Sequence, residues 1–193
     1  YAYSPDSDAI GIYAYSNYGG VSVVNSGDIT AYSFGGSAYG IIAIAPFGDV
    51  SVNNDGSIIA TAVVGNALGI GAISNYGDVS VSNGANGDIY ATAGGGSAVG
   101  ILAQSYTGDV SVVNDGNIVA YSINNSAIGI NAQSIYGSVS VENNNLVYAY
   151  SAGPAIGINA YSEFQDVSVY NSGGISAISQ YFNAVAINAN SVY

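Results

Sequence analysis

The sequence predicts an all-β fold, a parallel β-helix (β-solenoid) with three short strands and about 29 residues per rung, six to seven rungs in all. Three observations predict it. The chain repeats itself at a near-constant period, apolar and polar residues alternate with period 2, and clusters of Gly, Asn, Asp and Ser separate the alternating segments.

The period is read from the unit Ala-hydrophobic-Gly-Ile-x-Ala. Its glycine falls at Gly11, Gly40, Gly69, Gly100, Gly129 and Gly157, and Ala186 takes the place last. The steps are 29, 29, 31, 29, 28 and 29 residues. The longest step has a local cause: "SNGANGD", Ser82 to Asp88, holds two extra residues in a turn.

In each unit the first strand reads like "AIGINAQS" (Ala127 to Ser134) and the second like "SVSVEN" (Ser138 to Asn143). The third reads like "NIVAYS" (Asn117 to Ser122) of the preceding unit. Val, Ile and Tyr dominate, as suits a pleated, half-buried surface, and turn residues punctuate. No segment sustains a 3.6-residue period, and Leu68, Leu102 and Leu146 are the only leucines. One rung cannot bury its apolar face alone, so rungs must stack, about 4.8 Å apart. A propeller blade would need four strands in ~40–45 residues, more than this period supplies.

Alternation assigns the faces. On the second strand Val21, Val50, Val79, Val110, Val139 and Val167 point inward. On the first, Ile12, Ile41, Ile70, Ile101, Ile130, Ile158 and Ile187 do so, with Ala14, Ala43, Ala72, Ala103, Ala132, Ala160 and Ala189 two places on. The third contributes Ile29, Ile58, Ile89, Ile118, Val147 and Ile175. One outward place on the first strand varies freely: Tyr13, Ile42, Gly71, Leu102, Asn131, Asn159, Asn188.

Four further columns could carry chemistry. Asn25, Asn54, Asn83, Asn114, Asn143 and Asn171 close the second strand, pointing inward, where stacked amides can bond along the axis as a structural ladder. Tyr18, Phe47, Tyr76, Tyr136, Phe164 and Tyr193 form an aromatic column at one corner, interrupted by Thr107, whose stacked rings would cover a turn. Ser22, Ser51, Ser80, Ser111, Ser140 and Ser168 face outward with no base to activate them. Asp49, Asp78 and Asp109, then Ser138 and Asp166, precede the second strand. Like charges ~5 Å apart repel by about 1 kcal/mol in water, which solvation or a bound cation relieves. This makes the three aspartates a weak calcium candidate, without the Gly-Gly-x-Gly-x-Asp nonapeptide of calcium-binding β-rolls. No other cofactor is expected.

Composition removes whole classes of function. Apolar residues make up 49%, as in an ordinary globular domain, but charged residues only 6%, against roughly 25%. All twelve charges are acidic, and Lys, Arg and His are absent, for a net charge of −12. Nucleic acid and anionic membrane surfaces are therefore excluded as expected partners. Without Cys or His there is no thiolate–imidazole zinc site, no Ser-His or Cys-His nucleophile and no disulfide. No run of 18 apolar residues exists, so no membrane insertion by a helix of this segment is expected. An enzyme is not expected. A polysaccharide lyase would need a base, and a glycosidase two carboxyl groups ~5–10 Å apart, whereas Glu142 and Glu163 read as outward residues on different strands.

The segments "AIGIYAYSNYG", "GDVSVVNSGDITAYS" and "SAVGILAQSYTGDVSVVNDGNIVAYS" resemble the repeats of bacterial autotransporter passengers and related large surface adhesins, over nearly the whole chain. That resemblance implies a right-handed β-helix displayed outside a Gram-negative cell. The expected function is an extracellular structural or adhesive solenoid: a surface stalk, adhesin passenger or filament body. The alternative is a glycan- or protein-binding module, contacting host or neighbouring-cell surfaces through Tyr13, Tyr15, Tyr32, Tyr121, Tyr148, Tyr150 and Tyr161. Ala2-Tyr3-Ser4 aligns with Ala31-Tyr32-Ser33 and Tyr193 with Tyr18, so both termini fall inside a rung. Residues 1–193 are accordingly expected to be one solenoid within a longer solenoid or filament, stacked end to end on further rungs or identical subunits.

Overall fold

The computed structural model describes all 193 residues, as twenty strands and no helix. No helix is present to cross a membrane. The strands form three parallel sheets, each taking one strand from every turn of the chain, which makes a β-solenoid of about seven turns. The first sheet stacks Ala9–Tyr15, Ala38–Ala45, Ala67–Ser74, Ala98–Ser105, Ala127–Ser134, Ala155–Ser162 and Ala184–Ser191. The second stacks Val21–Asn25, Val50–Asn54, Val79–Asn83, Val110–Asn114, Val139–Asn143 and Val167–Asn171. The third stacks Ala2–Ser4, Ile29–Ser33, Ile58–Ala62, Ile89–Ala93, Ile118–Ser122, Val147–Ser151 and Ile175–Ser179.

Pairing sets each residue on its equivalent one rung away. Ile41 lies between Ile12 and Ile70, and Val79 between Val50 and Val110. The two extra residues after Asn83 leave this register intact, because they close on themselves: the Gly87 N–H donates to the Gly84 carbonyl at 2.9 Å. Asn83 still pairs with Asn54 on one side and Asn114 on the other.

Strict alternation fails at one point. Gly40 and Ile41 are buried in succession, as are their equivalents in the inner rungs, and the ladder of paired residues skips the glycine. The first strand therefore serves two cores. Beyond the glycine, Ile41 and Ala43 join the inward valines of the second strand and the isoleucines of the third in a core of 26 buried residues. Before it, Ala38 meets Ala31, Ala60 and their equivalents in a separate core of 13 residues, every one alanine. Two sheets approach closely there, and no larger side chain fits between them.

The same approach explains the glycine that marks the repeat. A Cβ on Gly40 would strike Ile58 Cγ2 and the Gly69 carbonyl, and Gly69, Gly100 and Gly129 meet Ile89, Ile118 and Val147 in the same way. No residue has a positive φ, so these glycines answer to space and not to torsion. Each fully buried Ile or Val in the column contributes about 1.5–3 kcal/mol by leaving water.

The outermost rungs differ from the alternation. Ile187 is 40% exposed and Ala189 is exposed, while Ile12, Ala14 and Val167 are half-buried. A terminal rung has a neighbour on one side only, so inward direction there does not mean enclosure.

Candidate functional site

Polar side chains in this solenoid concentrate at its three corners, where the backbone leaves the sheets. At the corner after the second strand, the Nδ2 of each asparagine from Asn25 to Asn143 makes two bonds, and that of Asn171 the first of them. One goes to a carbonyl of its own turn, at Gly27, Gly56, Gly87, Gly116, Asn145 or Gly173, over 2.6–2.8 Å. The other climbs to the next rung: Asn25 to Asn54 Oδ1 at 2.7 Å, Asn54 to Asn83 at 2.9 Å, Asn83 to Asn114 at 2.8 Å, Asn114 to Asn143 and Asn143 to Asn171 at 2.7 Å. Asn54, Asn83, Asn114 and Asn143 are fully buried. Asn83 spans its enlarged turn by reaching a carbonyl four residues on instead of two.

Inward serines staple the other two corners, a role the sequence reading missed. After the first strand, Ser105 Oγ accepts from the Gly108 N–H at 2.9 Å and donates to the Gly77 carbonyl of the previous turn at 2.8 Å. Ser74, Ser134 and Ser162 repeat the arrangement. Ser33 and Ser122 do the same after the third strand. No buried polar side-chain atom is left without a partner. The signal lay in the sequence, since a serine closes most first strands, but its small size fits either face.

The aromatic column runs up the first corner and breaks at Thr107. Tyr18, Phe47 and Tyr76 stack with centroids 5.8 and 5.3 Å apart. Thr107 Oγ1 instead donates to the Tyr76 carbonyl at 3.1 Å. Tyr106, its neighbour in sequence, stands edge-on to Tyr136 at 5.3 Å, and Tyr136 stacks on Phe164 at 5.0 Å, with Tyr193 tilted beyond at 6.0 Å. The adjacent Tyr136 hydroxyl, by hydrogen bonding and by its charge, pushes the Tyr106 phenol above its ordinary range. The rings are all 40% exposed or more, so the column is a surface strip.

Asp49, Asp78 and Asp109 are exposed and in line, and each carboxylate is engaged by the next rung. Asp49 Oδ1 accepts from the Asp78 N–H at 3.0 Å, Asp78 from Asp109 at 2.8 Å, and Asp109 from Ser138 at 2.7 Å. Asp8, Asp28 and Asp88 accept equivalently from Ser37, Ser57 and Asn117. All six stand immediately before a strand. There the backbone N–H turns toward the previous rung and needs an acceptor, which Asp, Asn or Ser supplies and Lys or Arg cannot. This gives a physical reason for the sign of these six of the twelve charges. No three acidic side chains come close enough together to hold a metal ion.

The seven tyrosines expected to share a face are divided between two. Tyr13, Tyr15 and Tyr161 lie on the first sheet, and Tyr32, Tyr121, Tyr148 and Tyr150 on the third. Within the third, Tyr121 and Tyr150 stack at 5.1 Å. A shallow groove of about 250 Å³ at the edge of the first sheet is lined by Gln104, Gln133, Tyr106 and Tyr161 among others. Glu142 is on the second strand, but Glu163 sits at the first corner and on no strand. The serine column from Ser22 to Ser168 is exposed along its whole length.

Charge is distributed unevenly around the cross-section. Ten of the twelve acidic residues lie on the second strands or in the turns flanking them, and Asp6 and Asp8 lie in the turn before Ala9–Tyr15. The outer faces of the first and third sheets carry none. No protein-family model matches this chain, and neither does any curated protein or solved structure.

Proposed function

We propose that this chain is an extracellular structural and adhesive solenoid, the body of a surface stalk, adhesin passenger or filament, of the kind found in bacterial autotransporter passengers. One observation carries the reading: the columns repeat residue for residue over about seven turns, and their polar members are spent on neighbouring rungs. Such a chain gains reach by adding rungs, each held by the same ladder, staples and core. In this reading the segment is non-catalytic and needs no cofactor, with calcium at the aspartate column the one cation to test. Its neighbours along the axis are further rungs or identical subunits, and its setting is the surface of a Gram-negative cell.

The test is mechanical. Tandem arrays of one, two and three copies of residues 1–193, with residues 19–29 repeated at each junction to supply the second strand that would otherwise be missing there, would be imaged by electron microscopy and stretched by atomic force. Stiff rods whose length grows by about 4.8 Å per rung support the stalk reading, and flexible or collapsed arrays overturn it.

A glycan- or protein-binding module is the second reading, favoured by the groove where Gln104 and Gln133 amides lie beside Tyr106 and Tyr161. Saturable binding on a glycan array, lost in Gln133→Ala and Tyr161→Ala, would establish it in place of a purely mechanical role.

A further inference from the structure

We propose that the outer face of the first sheet is an interface between two copies of this chain, packed side by side and parallel about a two-fold axis running along the solenoid. This inference goes beyond axial stacking and concerns lateral contact.

Charge selects the face. Each copy carries −12 and no cation, so two copies repel wherever their acidic sides meet. The acidic residues gather on the second sheet and its corners, which leaves the first and third sheets as the faces through which copies can approach. Of these, the first sheet is the wider, with strands of seven or eight residues against five or fewer. It also carries an unbroken apolar column, from Ile10 through Leu68 and Ile128 to Val185, with an aliphatic or tyrosine side chain at every rung.

Size agrees with a second copy. Seven strands spaced ~4.8 Å apart, with a rise of ~3.3 Å per residue, give a face of roughly 800–900 Å². One partner contributes about 800 Å² to a standard stable interface. Two such faces pack as sheets do in a sandwich, about 10 Å apart, and a two-fold axis buries the same patch on both.

The direction follows from a gradient along the face. Toward the N-terminal rungs the other outward places hold aliphatic residues such as Ile42, Ile44 and Ile73. Toward the C-terminal rungs they hold amides, and Asn188 Nδ2 donates to Asn159 Oδ1, and Asn159 Nδ2 to Asn131 Oδ1, at 2.7 and 2.8 Å. An antiparallel pair would set aliphatic rungs on amide rungs. A parallel pair sets like on like.

Sedimentation equilibrium of residues 1–193 tests the association, and Leu102→Asp and Ser80→Asp test its location. The expected result is a dimer whose dissociation constant rises at least about tenfold in Leu102→Asp, because like charges are brought together. It should stay within about twofold in Ser80→Asp, on the opposite sheet. A parent that is monomeric at all concentrations, or equal effects of the two variants, overturns the proposal. Direction is read from cross-linking of Ile42→Cys, Leu102→Cys and Asn159→Cys, each in a chain otherwise free of cysteine, with a bismaleimide of about 10 Å reach, which spans the sheet spacing that a disulfide cannot. These neutral substitutions also keep the test decisive should Leu102→Asp fail to fold. A parallel pair cross-links each variant to itself at the second, fourth and sixth rungs. Cross-linking by Leu102→Cys alone overturns the parallel arrangement, and by none of the three overturns the interface.

Discussion

Asn83 is bonded on both sides and to its own turn, with none of these atoms in contact with water. Asn83→Ala removes the acceptor of Asn54 and the donor to Asn114 and the Gly87 carbonyl. Leaving buried groups unpaired costs about 1–3 kcal/mol each at most, and the variant should lose at least the lower figure in chemical denaturation. Ser80→Ala, outward, exposed and without a side-chain hydrogen bond, should stay within about 0.5 kcal/mol of the parent. Should the two variants melt alike, the ladder contributes nothing to stability. Gly69→Ala should be well below Ser80→Ala, because its Cβ meets Ile89 and backbone that cannot retreat, and overpacking of this kind costs about 1–3 kcal/mol. Calorimetry on Gly69→Ala beside Ile89→Ala/Gly69→Ala would show partial rescue if the clash is with Ile89. At this scale the sequence displayed the asparagine, valine and isoleucine columns openly, since only one face accommodates them. It hid the inward serines and the alanine core, because Ser and Ala are small enough for either side of a strand.

Strands and corners obey different rules, and legibility divides between them in the same way. Period-2 alternation located every strand type to within a residue, as comparison of Ser138 to Asn143 with Val139–Asn143 shows. It did not reveal that the first strand turns two successive residues inward at Gly40 and Ile41, where two cores meet. The corners were less legible still, because their partners lie one rung away in space and about 29 residues away in sequence. The aspartate column looked like a cation site or a repulsive strip. One oxygen of each carboxylate also accepts the N–H group of the next rung. Asp78→Asn retains an acceptor and removes one charge from the line, so its denaturation midpoint should equal or exceed the parent's. Asp78→Ala loses the acceptor and should fall below both. A midpoint for Asp78→Asn as low as that of Asp78→Ala would mean that charge, and not acceptance, is what the position requires.

The molecule as a whole is a sum of nearly identical rungs whose charge is negative only. Deleting residues 100–128 joins Val99 to Gly129 and restores the repeat unit with its register unbroken. That variant should fold cooperatively with a lower midpoint, since one rung and one rung interface are gone. Deleting half a period should abolish the fold, and circular dichroism distinguishes the outcomes. Because no cation offsets the twelve carboxylates, long-range electrostatics oppose compaction. Raising salt from about 0.01 M to 0.5 M shortens the screening length from ~30 Å to a few ångströms, so the melting temperature should climb, and a fall would contradict the account. The asparagine ladder has one property that no sheet shares: every rung-to-rung amide points the same way, N–H toward the later rung and C=O toward the earlier. Cut between any two rungs, it exposes a donor on one surface and an acceptor on the other. The rod is therefore vectorial, with unlike poles, and two lengths of it can be spliced in a single sense, as magnets join, but never pole to like pole.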